Sequence, residues 1–126
     1  MILIDSDIII WILRNNQTYK DNFTKALIEV KGNIFITPIQ YAEIMTGLKA
    51  KEKINTELFL DSLNCLTIDK KIGKLAGYYL NLYHKSHALK VADAIMAATA
   101  KNHSLQLWSD NKKHFPMFNI DEFFVA

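Results

Sequence analysis

Met1-Ile2-Leu3-Ile4-Asp5-Ser6-Asp7 sets four apolar residues in succession before the first acid. An unbroken apolar run does not alternate as a half-exposed strand does, so it describes a short strand covered on both faces, as in a parallel sheet packed between helices. Such a strand belongs at the centre of its sheet. The run stops at an acid, a hydroxyl and a second acid, and a helix-length apolar block, Ile8-Ile9-Ile10-Trp11-Ile12-Leu13, follows. In an open α/β sheet ligands bind beyond the carboxyl ends of the strands, so Asp5 stands where chemistry is expected.

The rest of the chain repeats the pattern. A turn at Asn15-Asn16-Gln17-Thr18 leads, with Thr18 as cap, into a helix reaching about Val30, which Lys31-Gly32-Asn33 ends. Ile34-Phe35-Ile36-Thr37 is a second buried strand, and Thr37-Pro38 opens a helix to about Lys49 as cap and first-turn proline. A helix over Asn55 to Leu63 precedes a short strand, Cys65-Leu66-Thr67-Ile68. Asp69 caps a longer helix with one apolar stripe, Ile72, Leu75, Ala76, Tyr79, Leu82 and Tyr83, in which Gly73 and Gly77 permit close packing. An alanine-rich helix over Val91 to His103, a strand over Leu105 to Ser109 and a short edge strand within Asn119 to Val125 complete the set. Short strands alternating with helices predict one α/β domain over residues 1–126, with helices on both faces of a mostly parallel sheet of four to five strands.

At 126 residues such a domain buries about two-thirds of its unfolded surface. The longest strictly apolar run, Ile8 to Leu13, is too short to span a bilayer, and a core strand starting at Met1 leaves no room for a signal peptide, so a cytoplasmic protein is expected. The single cysteine, Cys65, is expected to be a small buried hydrophobe. Between Lys70 and His114 stand eight lysines against two aspartates, together with all four histidines. That clustering suits a polyanionic partner, because lysines near phosphates release counterions.

Four acids fall after strands or at adjoining helix starts: Asp5, Glu43, Asp93 and Asp110. Each has a plain structural explanation on its own. Asp5 can cap the following helix and Asp7 can sit in its first turn, where the helix dipole favours an anion. Asp93 can do the same for the alanine-rich helix, and Asp110 can be a solvated turn residue. Glu43 has apolar or aromatic neighbours on both sides, Tyr41, Ala42, Ile44 and Met45, and is expected to lack a polar face to hold it. Together the four are delivered to one sheet edge, and oxygen donors without a cysteine or paired-histidine pattern call for Mg²⁺ or Mn²⁺. Metal-activated water hydrolysing a phosphodiester suits that donor set. No Gly-x-Ser-x-Gly elbow activates Ser6 or Ser109, and no glycine loop cradles a triphosphate.

The whole chain resembles the PIN-domain family, and within it the VapC toxins of bacterial and archaeal toxin–antitoxin pairs. The resemblance rests on Leu3-Ile4-Asp5-Ser6-Asp7, on Thr37 to Gly47 with Glu43 inside it, on Ala92-Asp93-Ala94-Ile95-Met96-Ala97-Ala98-Thr99-Ala100, and on Leu107-Trp108-Ser109-Asp110-Asn111-Lys112-Lys113-His114-Phe115. It implies a three-layer α/β/α fold and a Mg²⁺-dependent endoribonuclease toxin, usually a homodimer, neutralised by a small antitoxin whose tail fills the active groove. Asp5 and Asp93 match the family's principal metal ligands, Glu43 its third acid, and Ser6 and Ser109 the hydroxyl residues that orient the acids. Asp7 is an outer group. The family's last acid follows the strand's Ser/Thr by two positions; this chain has Asn111 there and Asp110 one residue earlier, so either can face the metal. Lys85, Lys90, Lys112 and Lys113 are the expected RNA contacts. Two other readings compete: a PIN-like scaffold that binds RNA without cutting it, and a receiver-like signalling domain with Asp69 as phosphate acceptor.

Overall fold

The computed structural model describes residues 1–126. In it strand β1 (Ile2–Ile4) lies between β2 (Ile34–Ile36) and β4 (Gln106–Trp108), and β3 (Asn64–Cys65) extends the β2 side. All three pairings are parallel. The connections run through α1 (Ser6–Leu13), α2 (Gln17–Glu29), α3 (Pro38–Met45), α4 (Ala50–Asp61), α5 (Lys70–Tyr83) and α6 (Val91–Asn102).

The period-two geometry of β1 divides its side chains between two cores. Leu3 joins Ile72, Ala76 and Tyr79 of α5 and the alanines of α6. Ile2 and Ile4 point the other way, onto Ile8, Ile9 and Ile12 of α1, Ala26 of α2, Ile44 of α3 and Leu60 of α4. All three β1 residues are fully buried. At about 1.5–3 kcal/mol for each large aliphatic side chain taken out of water, this strand anchors both layers. The result is the expected three-layer α/β/α arrangement.

Two helix starts are as their sequence promises. Asp69 accepts a hydrogen bond from the Ile72 N–H, and the Thr37 hydroxyl accepts one from Ile39 ahead of Pro38. Gln40 goes further: its carbonyl accepts from the Thr37 N–H and hydroxyl, while its amide donates to the Ile4 carbonyl at 2.8 Å. This fully buried side chain ties the start of α3 to the end of β1.

Several expectations are corrected. The cap of α2 is Asn16, which accepts from the Tyr19 N–H, rather than Thr18. The helix after Pro38 stops at Met45, because Gly47 adopts φ +77°, and a new helix already starts at Ala50 rather than Asn55. Cys65 is exposed, since β3 is a two-residue edge strand with nothing packed outside it; Leu66 and Ile68 carry the partial burial there. Leu82 leaves the α5 stripe and is 50% exposed. Gly73 and Gly77 approach nothing, for a Cβ at either would meet open space. The tail forms no fifth strand: Phe123 makes a single parallel bridge to Leu107, and a 3₁₀ turn covers Ile120–Glu122. No helix is long and apolar enough to cross a membrane.

Candidate active site

The β1–β4 register fixes the first pair of functional side chains. Ile4 lies opposite Trp108, so the next residues of the two strands, Asp5 and Ser109, emerge side by side at the carboxyl edge. The Ser109 hydroxyl donates to Asp5 Oδ2 at 2.7 Å, and the Ser6 N–H donates to Asp5 Oδ1, also at 2.7 Å. Asp5 is therefore helix cap and site residue at once, and it is 6% exposed. Each carboxylate oxygen receives one hydrogen bond from the chain and keeps a lone pair free.

Neighbouring side chains extend this pair into a network. The Ser6 hydroxyl donates to Glu43 Oε1 at 2.7 Å, linking α1 to α3. Asn111 uses both its donors: its backbone N–H meets the Ser109 hydroxyl at 3.0 Å, and its side-chain amide meets Asp7 Oδ2 at 2.8 Å. Glu43 itself is exposed, contrary to expectation. Successive helix residues turn by 100°, so its apolar neighbours fall to other sides and leave Ala42, Glu43 and Thr46 outermost.

Asp93 comes from the first turn of α6, where Ala94, Ala97, Ala98 and Ala100 are all fully buried and let the helix lie close against the sheet. It is half-buried and lies near enough to Asp7 and His114 to feel both charges. Asp7 also acts on Asp5 and thus stands electrostatically between the two.

Asp110 points elsewhere. Its carboxylate accepts from the Tyr19 hydroxyl of α2, so of the two consecutive candidates it is Asn111 that turns to the acid edge.

The electrostatics are those of an anionic site in which Asp5 feels only other acids and Asp93 alone feels nearby cations. Burial pushes the Asp5 carboxyl from 3.8 up to about 6, and the Asp7 and Glu43 charges push the same way against the Ser109 and Ser6 hydrogen bonds. Burial also raises Asp93, against the pull of His114 and Lys90. The chain has two ion pairs, Lys53 with Glu57 and Lys101 with Glu122, and neither touches these acids. No group of three or more His, Cys, Asp or Glu side chains stands together so as to hold a metal ion. A tetrahedral zinc site does not fit such a set. A hydrated divalent ion held through one or two carboxylates does.

Among the expected RNA contacts, Lys90 precedes α6 beside Asp93, and Lys112 and Lys113 form the 3₁₀ turn after Asn111. Lys85 is exposed in the α5–α6 loop, and nothing ties it to the acids. Lys101 is not free, since it pairs with Glu122. Sequence reasoning missed Tyr19, the partner of Asp110, for which the sequence holds no local signal. It also missed Gln40, whose signal is present: Thr37-Pro38-Ile39-Gln40 is a capping-box pattern.

A parallel sheet with helices on both faces and an acid edge beyond β1 and β4 defines a PIN-type domain. The sequence matches the PIN domain family over residues 2–116. It is 33% identical over 119 residues to Ribonuclease VapC10 of Mycobacterium tuberculosis, covering 94% of this chain and 88% of that one. Among solved structures, a toxin-antitoxin complex from Klebsiella pneumoniae superposes with a TM-score of 0.79 at 26% identity, over 99% of this chain and 97% of that one. FitAcB from Neisseria gonorrhoeae superposes with a TM-score of 0.70 at 25% identity, over 91% of each chain. The chain belongs to the PIN-domain family and, within it, to the VapC-like proteins.

Proposed function

We propose that this chain is a metal-dependent endoribonuclease acting in the cytoplasm as the toxin of a toxin–antitoxin pair. The observation that carries the reading is Asp5: a buried carboxylate, aimed by Ser109 and Ser6, with no cation of the protein's own to meet it. The relative named a ribonuclease and the neighbour described as a toxin-antitoxin complex support the reading.

In this proposal Asp5 and Asp93 hold Mg²⁺, or Mn²⁺ in its place. When bound, the ion supplies an activated water and a counter-charge for the leaving oxygen of a phosphodiester. The chain's own residues do the positioning. Ser109 and the Ser6 N–H hold Asp5 in one orientation, Ser6 holds Glu43 beside it, and Asn111 holds Asp7. An amide at 111 ties down Asp7 without adding a further negative charge to a crowded edge. Lys90, Lys112 and Lys113 meet the RNA backbone and Lys85 adds long-range attraction, in proportion to the counterions they release.

The test is incubation of the purified protein with single-stranded RNA. Cleavage is expected in Mg²⁺ and is lost in EDTA and in Asp5→Asn and Asp93→Asn. RNA binding with no cleavage in Mg²⁺ or Mn²⁺ would favour the non-catalytic scaffold instead. The partner is a small antitoxin protein and the working form a homodimer; co-purification with the product of an adjacent short gene and a measured solution mass check these.

A further inference from the structure

We propose that Trp11, backed by Tyr19 and flanked by Arg14, is a stacking platform for an unpaired RNA base next to the cleaved bond; the inference rests on the ribonuclease reading above. Trp11 belongs to α1, whose Ile8, Ile9 and Ile12 are buried, yet Trp11 itself is 41% exposed. Its ring stacks on Tyr19 with centroids 5.9 Å apart and planes 21° from parallel. The Arg14 guanidinium lies over the same Trp11 ring, 5.7 Å from its centroid. With 41% of Trp11 still open beside Tyr19 and Arg14, the group offers what single-stranded nucleic acid binds: aromatic surface for the base and a positive charge for its phosphate.

The platform is joined to the acid edge at two points. Asp7 lies four residues before Trp11, hence one helical turn of about 5.4 Å away on the same face, and it accepts the Asn111 amide. Tyr19 donates its hydroxyl to Asp110, the residue between Ser109 and Asn111. A base on Trp11 is therefore about one helical turn from Asp7.

On the far side of Arg14 opens a cleft of about 500 Å³, lined also by Glu43, Lys51 and Glu52. Of its carboxylates, Glu43 accepts from the Ser6 hydroxyl and Glu52 from the Lys49 N–H, and neither pairs with a cation. Arg14 and Lys51 enter no ion pair and are free to take phosphates.

Tryptophan fluorescence in EDTA tests the platform apart from cleavage. Trp108 is 4% exposed, so a base reaching the chain quenches Trp11. A short single-stranded oligoribonucleotide is expected to quench the wild type, and the same strand in a duplex is not. Trp11→Ala should raise the Kd for the single strand about thirtyfold, the middle of the range for losing one stacked base, and raise KM with little change in kcat. Trp11→Phe should recover most of that loss, which a misfolded variant does not. Unchanged Kd and KM in Trp11→Ala, with cleavage intact, would overturn the platform and leave the ribonuclease standing. Quenching by the single strand with no cleavage in Mg²⁺ would do the reverse. A Trp11→Ala chain that binds RNA normally but loses its homodimer or its antitoxin would assign the surface to a protein partner and overturn the proposal.

Discussion

Replacing Asp5 by asparagine should inactivate the site and strengthen the fold together. In the unfolded chain the carboxyl releases its proton near 3.8; in the fold it does so at about 6. Between those values the folded state holds the extra proton, so stability falls as pH rises through the window and levels off above about pH 7. At about 1.4 kcal/mol per pH unit, the ionised carboxylate costs the metal-free fold on the order of 3 kcal/mol. Asparagine removes that cost and remains a good helix cap, with its carbonyl accepting the Ser6 N–H. The Ser109 bond is already contained in that pKa, so the gain is about 3 kcal/mol, or roughly 12 °C in Tm at about 4 °C per kcal/mol for a chain of this length. Thermal melts followed by circular dichroism in EDTA at pH 8 should show this gain, and it should shrink towards zero as pH falls to about 4. Mg²⁺ at about 100-fold over its Kd should then stabilise the wild type by about 2.7 kcal/mol and leave Asp5→Asn unmoved. An Asp5→Asn chain melting at or below the wild type at pH 8 in EDTA would refute the reasoning, as would a gain indifferent to pH.

Asn111→Ala frees Asp7 while the backbone N–H of residue 111 stays on the Ser109 hydroxyl, so it should lower kcat about tenfold, and further than Asp110→Asn, whose carboxylate faces Tyr19; single-turnover cleavage rates compare the two. Ala97→Leu forces a larger side chain into a fully buried position where α6 meets the sheet and should cost about 1–3 kcal/mol, read as a lower midpoint in urea. Replacing Lys112 and Lys113 together by alanine should reduce the slope of log Kd against log salt for RNA by about 2, with little effect on kcat.

The sequence is most informative where one residue decides one thing. An unbroken apolar run means a strand covered on both faces, and Ile2–Ile4 are buried on both; Asp69 and Thr37-Pro38 name two helix starts to the residue. It is less informative where a neighbour decides. Cys65 reads as core because its segment is apolar, but only the sheet order reveals that nothing lies beyond β3. Glu43 reads as hemmed in because its sequence neighbours are apolar, whereas a helix spreads those neighbours around its axis. The choice between Asp110 and Asn111 is invisible locally, for it depends on Tyr19 reaching across from α2.

Asp5 and Ser109 are separated by 104 residues, as are Asp7 and Asn111. During synthesis the Asp5 carboxylate is made 104 residues ahead of the Ser109 hydroxyl that aims it. Until β4 slides in beside β1, the growing polypeptide carries the acid without its orientation. A site assembled in that order takes its working arrangement only once the β4 segment has been made and has docked beside β1.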